Sequence, residues 1–361
     1  MKIIKKTLFN EVPTEIGGDN DTYIMAIESS CDETACAIVK NGREVISNVV
    51  ASQIKTHAQY GGVIPEIAAR EHLESINVVI DEAFKQANMT PDNITAFAGT
   101  VGPGLVGCLL VGLNASKTLA LVYDKPFIGV NHLNAHLCAN YIDTDLKPPF
   151  IALLVSGGHT QIIEVKSYDE QNILGETIDD AVGEAYDKVA RLIGLPYPGG
   201  PLLDKLAREG NPYAYVLPQA KVDGYNFSFS GLKTAVLRLV KSLRADETNL
   251  FTDVNGNNIL KDNIIKDIFA SFQECVSETL LKKVKHALKE KNYKQIVIAG
   301  GVAANSEIRR KIFALENEGF RVNAPLMKYC TDNAAMVASC AYFNTNTFDD
   351  IDVEVFSRVK I

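Results

Sequence analysis

Two histidines four residues apart, His132 and His136, lie in the segment Val-Asn-His-Leu-Asn-Ala-His. On a helix this spacing brings both imidazoles to one face, where two neutral nitrogens can share a metal ion. A zinc peptidase helix would carry a Glu directly after the first His as general base, and here that position is Leu133. The pair therefore points to a metal more readily than to peptide hydrolysis. Two histidines at ordinary polar helix positions remain the commoner meaning of the spacing taken alone.

Other segments offer partners for such chemistry. In Glu28-Ser-Ser-Cys-Asp-Glu-Thr34, a turn exposes the carboxylates of Asp32 and Glu33. Asp32 could hold a water or orient a reacting group, or simply close the hairpin as an Asx-turn residue. Cys31 reads as a packed thiol rather than a nucleophile, since no His is fixed beside it. Asp332, in Cys-Thr-Asp-Asn, stands where a helix begins, the place of an N-cap. Three glycine pairs stand at corners between apolar runs: Gly157-Gly158 inside Ser-Gly-Gly-His-Thr, Gly199-Gly200 after Pro198, and Gly300-Gly301 after a strand. Each can be a plain turn, or a place where backbone N–H groups converge on a phosphate. Three in one chain lean toward nucleotide binding. The sequence has no Gly-x4-Gly-Lys-Ser/Thr loop and no Gly-x-Ser-x-Gly elbow, which leaves a P-loop NTPase or an α/β-hydrolase without support.

The elements that must position these residues follow from the apolar pattern. Short strands are expected at Tyr23 to Glu28, Ala35 to Val39 and Glu44 to Ala51, then a helix from Pro65 with Ile76, Ile80, Ala83, Phe84 and Ala87 in register. A strand at Ile94 to Thr100, a helix at Leu105 to Tyr123 and a strand at Phe127 to Val130 lead into the histidine helix. The strand pattern then restarts at Phe150 to Val155 and Gln161 to Val165. Helices follow at Asp180 to Ile193, Leu202 to Arg208, Lys233 to Leu243 and about Lys261 to Lys291, with a strand at Gln295 to Ala299 and helices at Val302 to Leu315 and Asp332 to Phe343. The chain reads as α/β and built twice. It divides into an irregular extension at 1–22, a first lobe at 23–145 onto which the helix at 332–343 can pack back, a second lobe at 146–331, and a surface tail at 344–361.

Bulk composition bounds the rest. With 361 residues, 47% hydrophobic and 22% charged, the chain can build two packed lobes. Its most apolar stretch, Gly104 to Tyr123, is broken by Asn114, Ser116 and Lys117, so a soluble protein with no membrane partner is expected. Seven cysteines without a Cys-x-x-Cys pair suit free thiols in a reducing compartment. The polar start lacks a secretory core. A net charge of −8 excludes a surface that binds polyanions everywhere and leaves local basic patches: Lys233, Arg238, Lys241 and Arg244 on one helix, Arg309, Arg310 and Lys311 on another.

Taken together and in order, these segments resemble the bacterial type of the tRNA N6-adenosine threonylcarbamoyltransferase family, formerly labelled O-sialoglycoprotein endopeptidase. The resemblance runs from about Tyr23 to Phe343. It is carried by Glu-Ser-Ser-Cys-Asp-Glu-Thr, Gly61-Gly-Val-Ile-Pro-Glu, Gly102-Pro-Gly-Leu-Val-Gly, His132-x3-His136, Leu154-Val-Ser-Gly-Gly-His-Thr-Gln, Asp187-Lys, Tyr197-Pro-Gly-Gly-Pro, Phe227-Ser-Phe-Ser-Gly-Leu-Lys, Gly300-Gly-Val-Ala-Ala-Asn and Cys330-Thr-Asp-Asn. It implies a two-lobed fold like that of actin, the sugar kinases and the heat-shock chaperone ATPases. The implied activity moves a threonylcarbamoyl group from threonylcarbamoyl-adenylate to the N6 amine of the adenosine 3′ to the anticodon, in tRNAs reading A-starting codons, releasing AMP.

On the matching positions the resemblance implies metal ligands at His132, His136 and Asp332, and substrate contacts from Leu154, Val155, Ser156, Gly157, Gly158, Asp187, Gly200, Asp204 and Asn305. Asp32 and Glu33 are the candidate catalytic carboxylates. One divalent metal per subunit is expected, iron(II) ahead of zinc, because two nitrogens and a carboxylate with open positions accept either. Implied partners are tRNA, a shorter noncatalytic paralogue of the same fold and a small P-loop ATPase, in the cytoplasm. The amino-terminal extension has no counterpart in compact members and keeps an organelle in view. Asn131 stands where many relatives have a second His. The rival readings are a metallopeptidase, a small-molecule kinase or ATPase of the same fold, and a noncatalytic scaffold.

Overall fold

A computed structural model describes residues 21–253, 257–343, 349 and 351–358. All but the last two residues of the expected extension at 1–22 therefore lie outside the described residues. The chain forms two compact units: one comprises residues 1–148, 167–170 and 325–361, the other residues 149–166 and 171–324.

In the first unit β1 (Tyr23–Glu28), β2 (Glu33–Lys40) and β3 (Glu44–Ser52) form an antiparallel meander. Short helix α1 (Ile54–Ala58) and long helix α2 (Pro65–Ala87) follow. Pro65 occupies the first turn of α2, where its missing N–H costs nothing, and Asn88 ends the helix in the left-handed region at φ 51°. Then come β4 (Ala96–Gly102), α3 (Val106–Val122), β5 (Phe127–Asn131) and α4 (His132–Cys138). Strands β4 and β5 add in parallel beside β1, giving the order β3-β2-β1-β4-β5. Met25, Ile27, Cys36, Ile38, Phe97 and Phe127 from the sheet pack with Ile76 and Val79 of α2 and Leu113 of α3.

The second unit repeats this plan. Strands β6 (Phe150–Val155), β7 (Thr160–Val165) and β8 (Gln171–Glu176) form the meander. Helices α5 (Val182–Ile193), α6 (Gly199–Ala207) and α7 (Ser230–Arg244), the small hairpin β9 (Leu250–Thr252) and β10 (Asn258–Leu260), and α8 (Asp262–Glu290) come next. Strand β11 (Gln295–Ala299), α9 (Ser306–Phe313) and β12 (Arg321–Asn323) close the unit, with β11 parallel to both β6 and β12. The order β12-β11-β6-β7-β8 is that of the first sheet, read from its other edge. Strand β6 is buried along its whole length, which explains its unbroken apolar run. The last helix, α10 (Ala334–Phe343), belongs to the first unit, with all but its final two residues buried.

The α/β class with a duplicated mixed sheet is thus the one expected. Local differences have local causes. The single helix expected from Val302 to Leu315 is a 3-10 turn at Gly301–Ala304, then α9, then a second 3-10 turn, because Asn305 caps α9 with its side chain. Strands β8 and β12 escaped the sequence reading: β8 is a largely exposed edge and β12 has three residues. The described part of the terminal segment, weakly patterned in sequence, is held to the first sheet and to α3. The Gly129 amide donates to Asp349 at 2.6 Å, Lys117 donates to the Val353 carbonyl at 2.5 Å, and the Phe356 amide donates to the Val101 carbonyl at 2.9 Å. All seven cysteines are free thiols, and among the described residues no helix is long and apolar enough to cross a membrane.

Candidate metal centre and the glycine turns

Strands β1, β4 and β5 run parallel, so their carboxyl ends lie side by side, and the polar residues of the first unit gather there. Asn131 ends β5 and caps α4, accepting from the amides of Leu133 and Asn134. The cap starts the helix at His132 and puts His132 and His136 one turn apart, their ring centroids 4.6 Å from each other. The expected N-cap role of Asp332 belongs to its neighbour: Asn333 accepts from the Met336 amide at 3.0 Å. Asp332 is left to face the histidines, with Oδ1 at 3.2 Å from His136 Nε2 and 3.7 Å from His132 Nε2. One donor atom from each of the three residues lies within 4.8 Å of the others.

This geometry suits a metal. Ligand atoms about 2.0–2.2 Å from a common ion stand roughly 3–3.6 Å apart, close to the 3.2 and 3.7 Å from Asp332 to the two histidines. The site also contains a group that the sequence reading did not single out. Glu28, the last residue of β1, is fully buried and places Oε2 at 3.1 Å from His132 Nδ1. It is fixed by the Ser30 amide at 2.6 Å and the Thr100 hydroxyl at 2.6 Å. A carboxylate on Nδ1 turns the Nε2 lone pair of His132 toward Asp332, the arrangement that commonly backs a metal-bound histidine. Its signal in sequence was a Glu ending an otherwise apolar strand, which reads equally well as the first polar residue of the turn.

Charge supports the same conclusion. Burial pushes the Glu28 carboxyl up, but His132 outweighs it and holds the group below its ordinary value. Burial likewise lifts Asp332, and His132 and His136 bring it down to about 2. For His132 burial disfavours the imidazolium, yet Glu28 and Asp332 raise it to about 9. Two ionised carboxylates thus press on one imidazole edge and require a positive charge there, which a proton or a divalent ion satisfies. Leu133, where a peptidase would hold its Glu, is buried in the core.

The neighbouring turn is tightly built. The Leu105 amide donates to the Ser30 carbonyl at 2.8 Å, and Ser29 Oγ donates to the Cys108 carbonyl at 2.9 Å. Buried His72, on α2, bridges the Thr34 hydroxyl at 2.7 Å and the Cys31 carbonyl at 3.0 Å. Cys31 is half-buried, and burial pushes its thiol far up. Burial and the Asp332 charge raise Asp32. Burial, only partly opposed by a 2.8 Å bond from Ser52 Oγ, lifts Glu33 to about 7.

In the second unit the corresponding carboxyl ends belong to β6 and β11. Leu154 and Val155 are fully buried and can offer a ligand only their backbone. The Ser156 amide closes the turn onto the His159 carbonyl at 2.8 Å. Gly157 and Gly158 stand exposed, with nothing within 4 Å of where a Cβ would be, and no bond from either amide occurs among the described residues. Gly300 has φ +89°, and a Cβ there would sit 2.3 Å from the Val155 carbonyl oxygen, so this corner abuts the end of β6. The third corner is already capped: Asp187 Oδ1 accepts from Gly199 at 2.9 Å and Gly200 at 3.0 Å, anchoring α6 on α5. Asp204 accepts from Ser306 Oγ at 2.7 Å, and Asn305, the cap of α9, donates to Gln273 at 2.9 Å. The structure thus brings Asp204 and Asn305 together at the start of α9 and Asp187 to Gly200.

Comparison with known proteins agrees with these features. The sequence profile of the tRNA N6-adenosine threonylcarbamoyltransferase family matches residues 44–339. The protein of that name from Clostridioides difficile is 49% identical over 349 residues, covering 95% of this chain and 99% of its own. The one from Trichodesmium erythraeum is 51% identical over 326 residues, covering 88% and 97%. Among solved structures, full-length HypF in its phosphate- and nucleotide-bound form aligns with a TM-score of 0.58 at 15% identity, over 89% of this chain and 46% of that one, a likeness of fold alone. A transferase by the name its relatives share, the chain belongs to the tRNA N6-adenosine threonylcarbamoyltransferase family.

Proposed function

We propose that this chain moves the threonylcarbamoyl group of threonylcarbamoyl-adenylate onto the N6 amine of the adenosine 3′ to the anticodon, in tRNAs reading A-starting codons. The observation that carries the reading is the convergence of His132, His136 and Asp332, backed by buried Glu28, in a chain of this family. These three residues would hold one divalent metal per subunit, iron(II) ahead of zinc. Bound there, the ion supplies a Lewis acid for the adenylate phosphate, which makes AMP a better leaving group.

The chain's own groups do the rest. As the amine nitrogen bonds to the carbamoyl carbon and the bond to the phosphate oxygen breaks, the nitrogen must lose a proton. Glu33, a carboxyl that burial lifts to about 7, would accept it, and Asp32 would orient the amine or a water beside it. The exposed amides of Gly157 and Gly158 bind the nucleotide, supported by Leu154, Val155 and Ser156 through their backbone and by Asp187, Gly200, Asp204 and Asn305. The working assembly adds a shorter noncatalytic paralogue and a small P-loop ATPase, in the cytoplasm. Incubating the chain and these partners with the adenylate and tRNA, then digesting the tRNA and weighing its nucleosides, tests the reading. Threonylcarbamoyladenosine is the expected product, and its absence overturns the proposal.

A further inference from the structure

Several cations of the second unit sit against carboxylates. Lys188 lies between Asp180 at 2.7 Å and Glu184 at 2.6 Å, Lys266 between Glu209 and Asp262 at 2.6 Å each, and Lys285 meets Glu318 at 2.5 Å. In the basic run Arg309-Arg310-Lys311, a candidate patch in sequence, Arg310 and Lys311 are neutralised too. Arg310 meets Glu307 at 2.6 Å, Lys311 meets Glu274 at 2.8 Å and Glu278 at 2.5 Å, and Arg309 lies over the Phe313 ring.

Helix α7 is different. Its fifteen residues, Ser230–Arg244, include Lys233, Arg238, Lys241 and Arg244 and no Asp or Glu. Its buried stripe Leu232, Val236 and Val240 faces the core of the unit. Arg238, Lys241 and Arg244 are exposed and Lys233 is half-buried, and none of the four meets a carboxylate among the described residues. Just past the helix, Asp246 turns back to the Thr248 amide at 2.9 Å and hydroxyl at 2.7 Å. Four uncompensated charges thus lie along about 16 Å of helix axis, in a chain whose net charge is −8.

The helix is also fixed beside the open glycine turn. Asp179 accepts from the Phe229 amide at 2.8 Å and the Ser230 hydroxyl at 2.7 Å, anchoring the start of α7. Four residues on, the Gly183 amide donates to the Ser156 carbonyl at 3.2 Å, tying the same segment to the Ser156–His159 turn. A rigid basic face beside a proposed nucleotide turn suits a polyanion whose reacting base enters there.

We propose that the exposed face of α7 holds the phosphate backbone of the RNA substrate through Lys233, Arg238, Lys241 and Arg244. The inference rests on the reading that this chain acts on tRNA, and it names the surface that does so. Binding of this kind displaces counterions, so log K falls with log salt by about 0.7–0.9 per phosphate contact.

The test titrates the full chain with unmodified tRNA from about 50 mM to 200 mM salt, followed by anisotropy of a labelled tRNA. It is repeated with a variant carrying K233Q, R238Q, K241Q and R244Q, and with a control carrying K282Q, K289Q, K291Q and K294Q. The proposal expects the α7 variant to bind at least tenfold more weakly at the lowest salt, with a slope shallower by about 2–3 units. The control should keep most of both. Circular dichroism must match the unmodified chain; if it does not, R238Q with K241Q alone is used, with half the effect expected. Equal losses in variant and control, an unchanged α7 variant, or no tRNA binding by the unmodified chain at low salt overturns the assignment. Retention of an acidic protein but not of RNA by α7 overturns it as well. Because binding is read without turnover, bound tRNA that yields no threonylcarbamoyladenosine counts against the proposed reaction and leaves the surface standing.

Discussion

The same five-stranded order occurs in both units, yet the turns at the ends of their parallel strands are built in opposite ways. In the first unit, the turn after β1 is packed, each serine is bonded, and ionised side chains converge on His132. In the second, the turn after β6 presents two exposed glycines with nothing within 4 Å of where a Cβ would stand. One plan thus yields a place that attracts a cation through side chains and a place that can receive an anion through backbone amides. Strand order alone therefore says little about chemistry; the residues at the strand ends decide it.

Removing the side chains of the first site should have the largest effect. Asp332→Ala or His136→Ala leaves two ligands for an ion, and both metal content by mass spectrometry and transfer rate should fall by at least a hundredfold. Retained stoichiometric metal would dissolve the contrast between the two units. Glu28→Ala removes no ligand but leaves His132 Nδ1 only the Ser30 hydroxyl at 3.2 Å, and metal affinity should drop about 10–100-fold. Glu28→Gln should recover part of it, since an amide oxygen can still accept from Nδ1. Equal affinity in all three proteins would reduce Glu28 to a packing residue.

Glycine replacements probe the two turns directly. In Gly104→Ala the new Cβ would lie 2.6 Å from the Ser30 carbonyl oxygen, so the packed turn must shift. Overpacking of this kind costs about 1–3 kcal/mol, and Tm should fall by several degrees. Gly157→Ala meets nothing within 4 Å, so its Tm should stay within about a degree while the KM for the adenylate rises. If Gly157→Ala lowered Tm as Gly104→Ala does, the openness assigned to the second turn would be wrong.

The smallest effect concerns Glu33. Its pKa of about 7 in the fold exceeds the ordinary 4.5, so the folded state binds more protons between these values and loses stability as pH rises through them. Glu33→Gln removes that loss. The variant should match the parent near pH 4.5 and be more stable above pH 7 by about 1–2 kcal/mol, discounted for partial exposure. Equal stability at both pH values would remove the case for a half-buried carboxyl raised to about 7.

Much of this was legible in the sequence, for definable reasons. His132 and His136 sit one helical turn apart, so their spacing alone shows that they can meet. Asp332 lies 200 residues away and its local pattern says helix cap; only the family resemblance pointed to it, and Asn333 takes the cap. Glu28 was missed because burial of a carboxylate at a strand end is set by neighbours on β4 and α4, which no local window contains. The three glycine corners looked alike in sequence. The fold separates them, because Asp187 reaches back to cap one, Gly300 of another packs on Val155, and both glycines of Gly157-Gly158 stay open.

On this reading the first unit's cation site serves transfer to tRNA. That role is tested most directly by measuring threonylcarbamoyladenosine in tRNA after single turnover, using metal-reconstituted parent and Asp332→Asn variant in the same assembly. Modified adenosine is expected from the parent, with its loss after chelation, and almost none from the variant. Equal product from parent and variant, or product that survives complete removal of the metal, would contradict it.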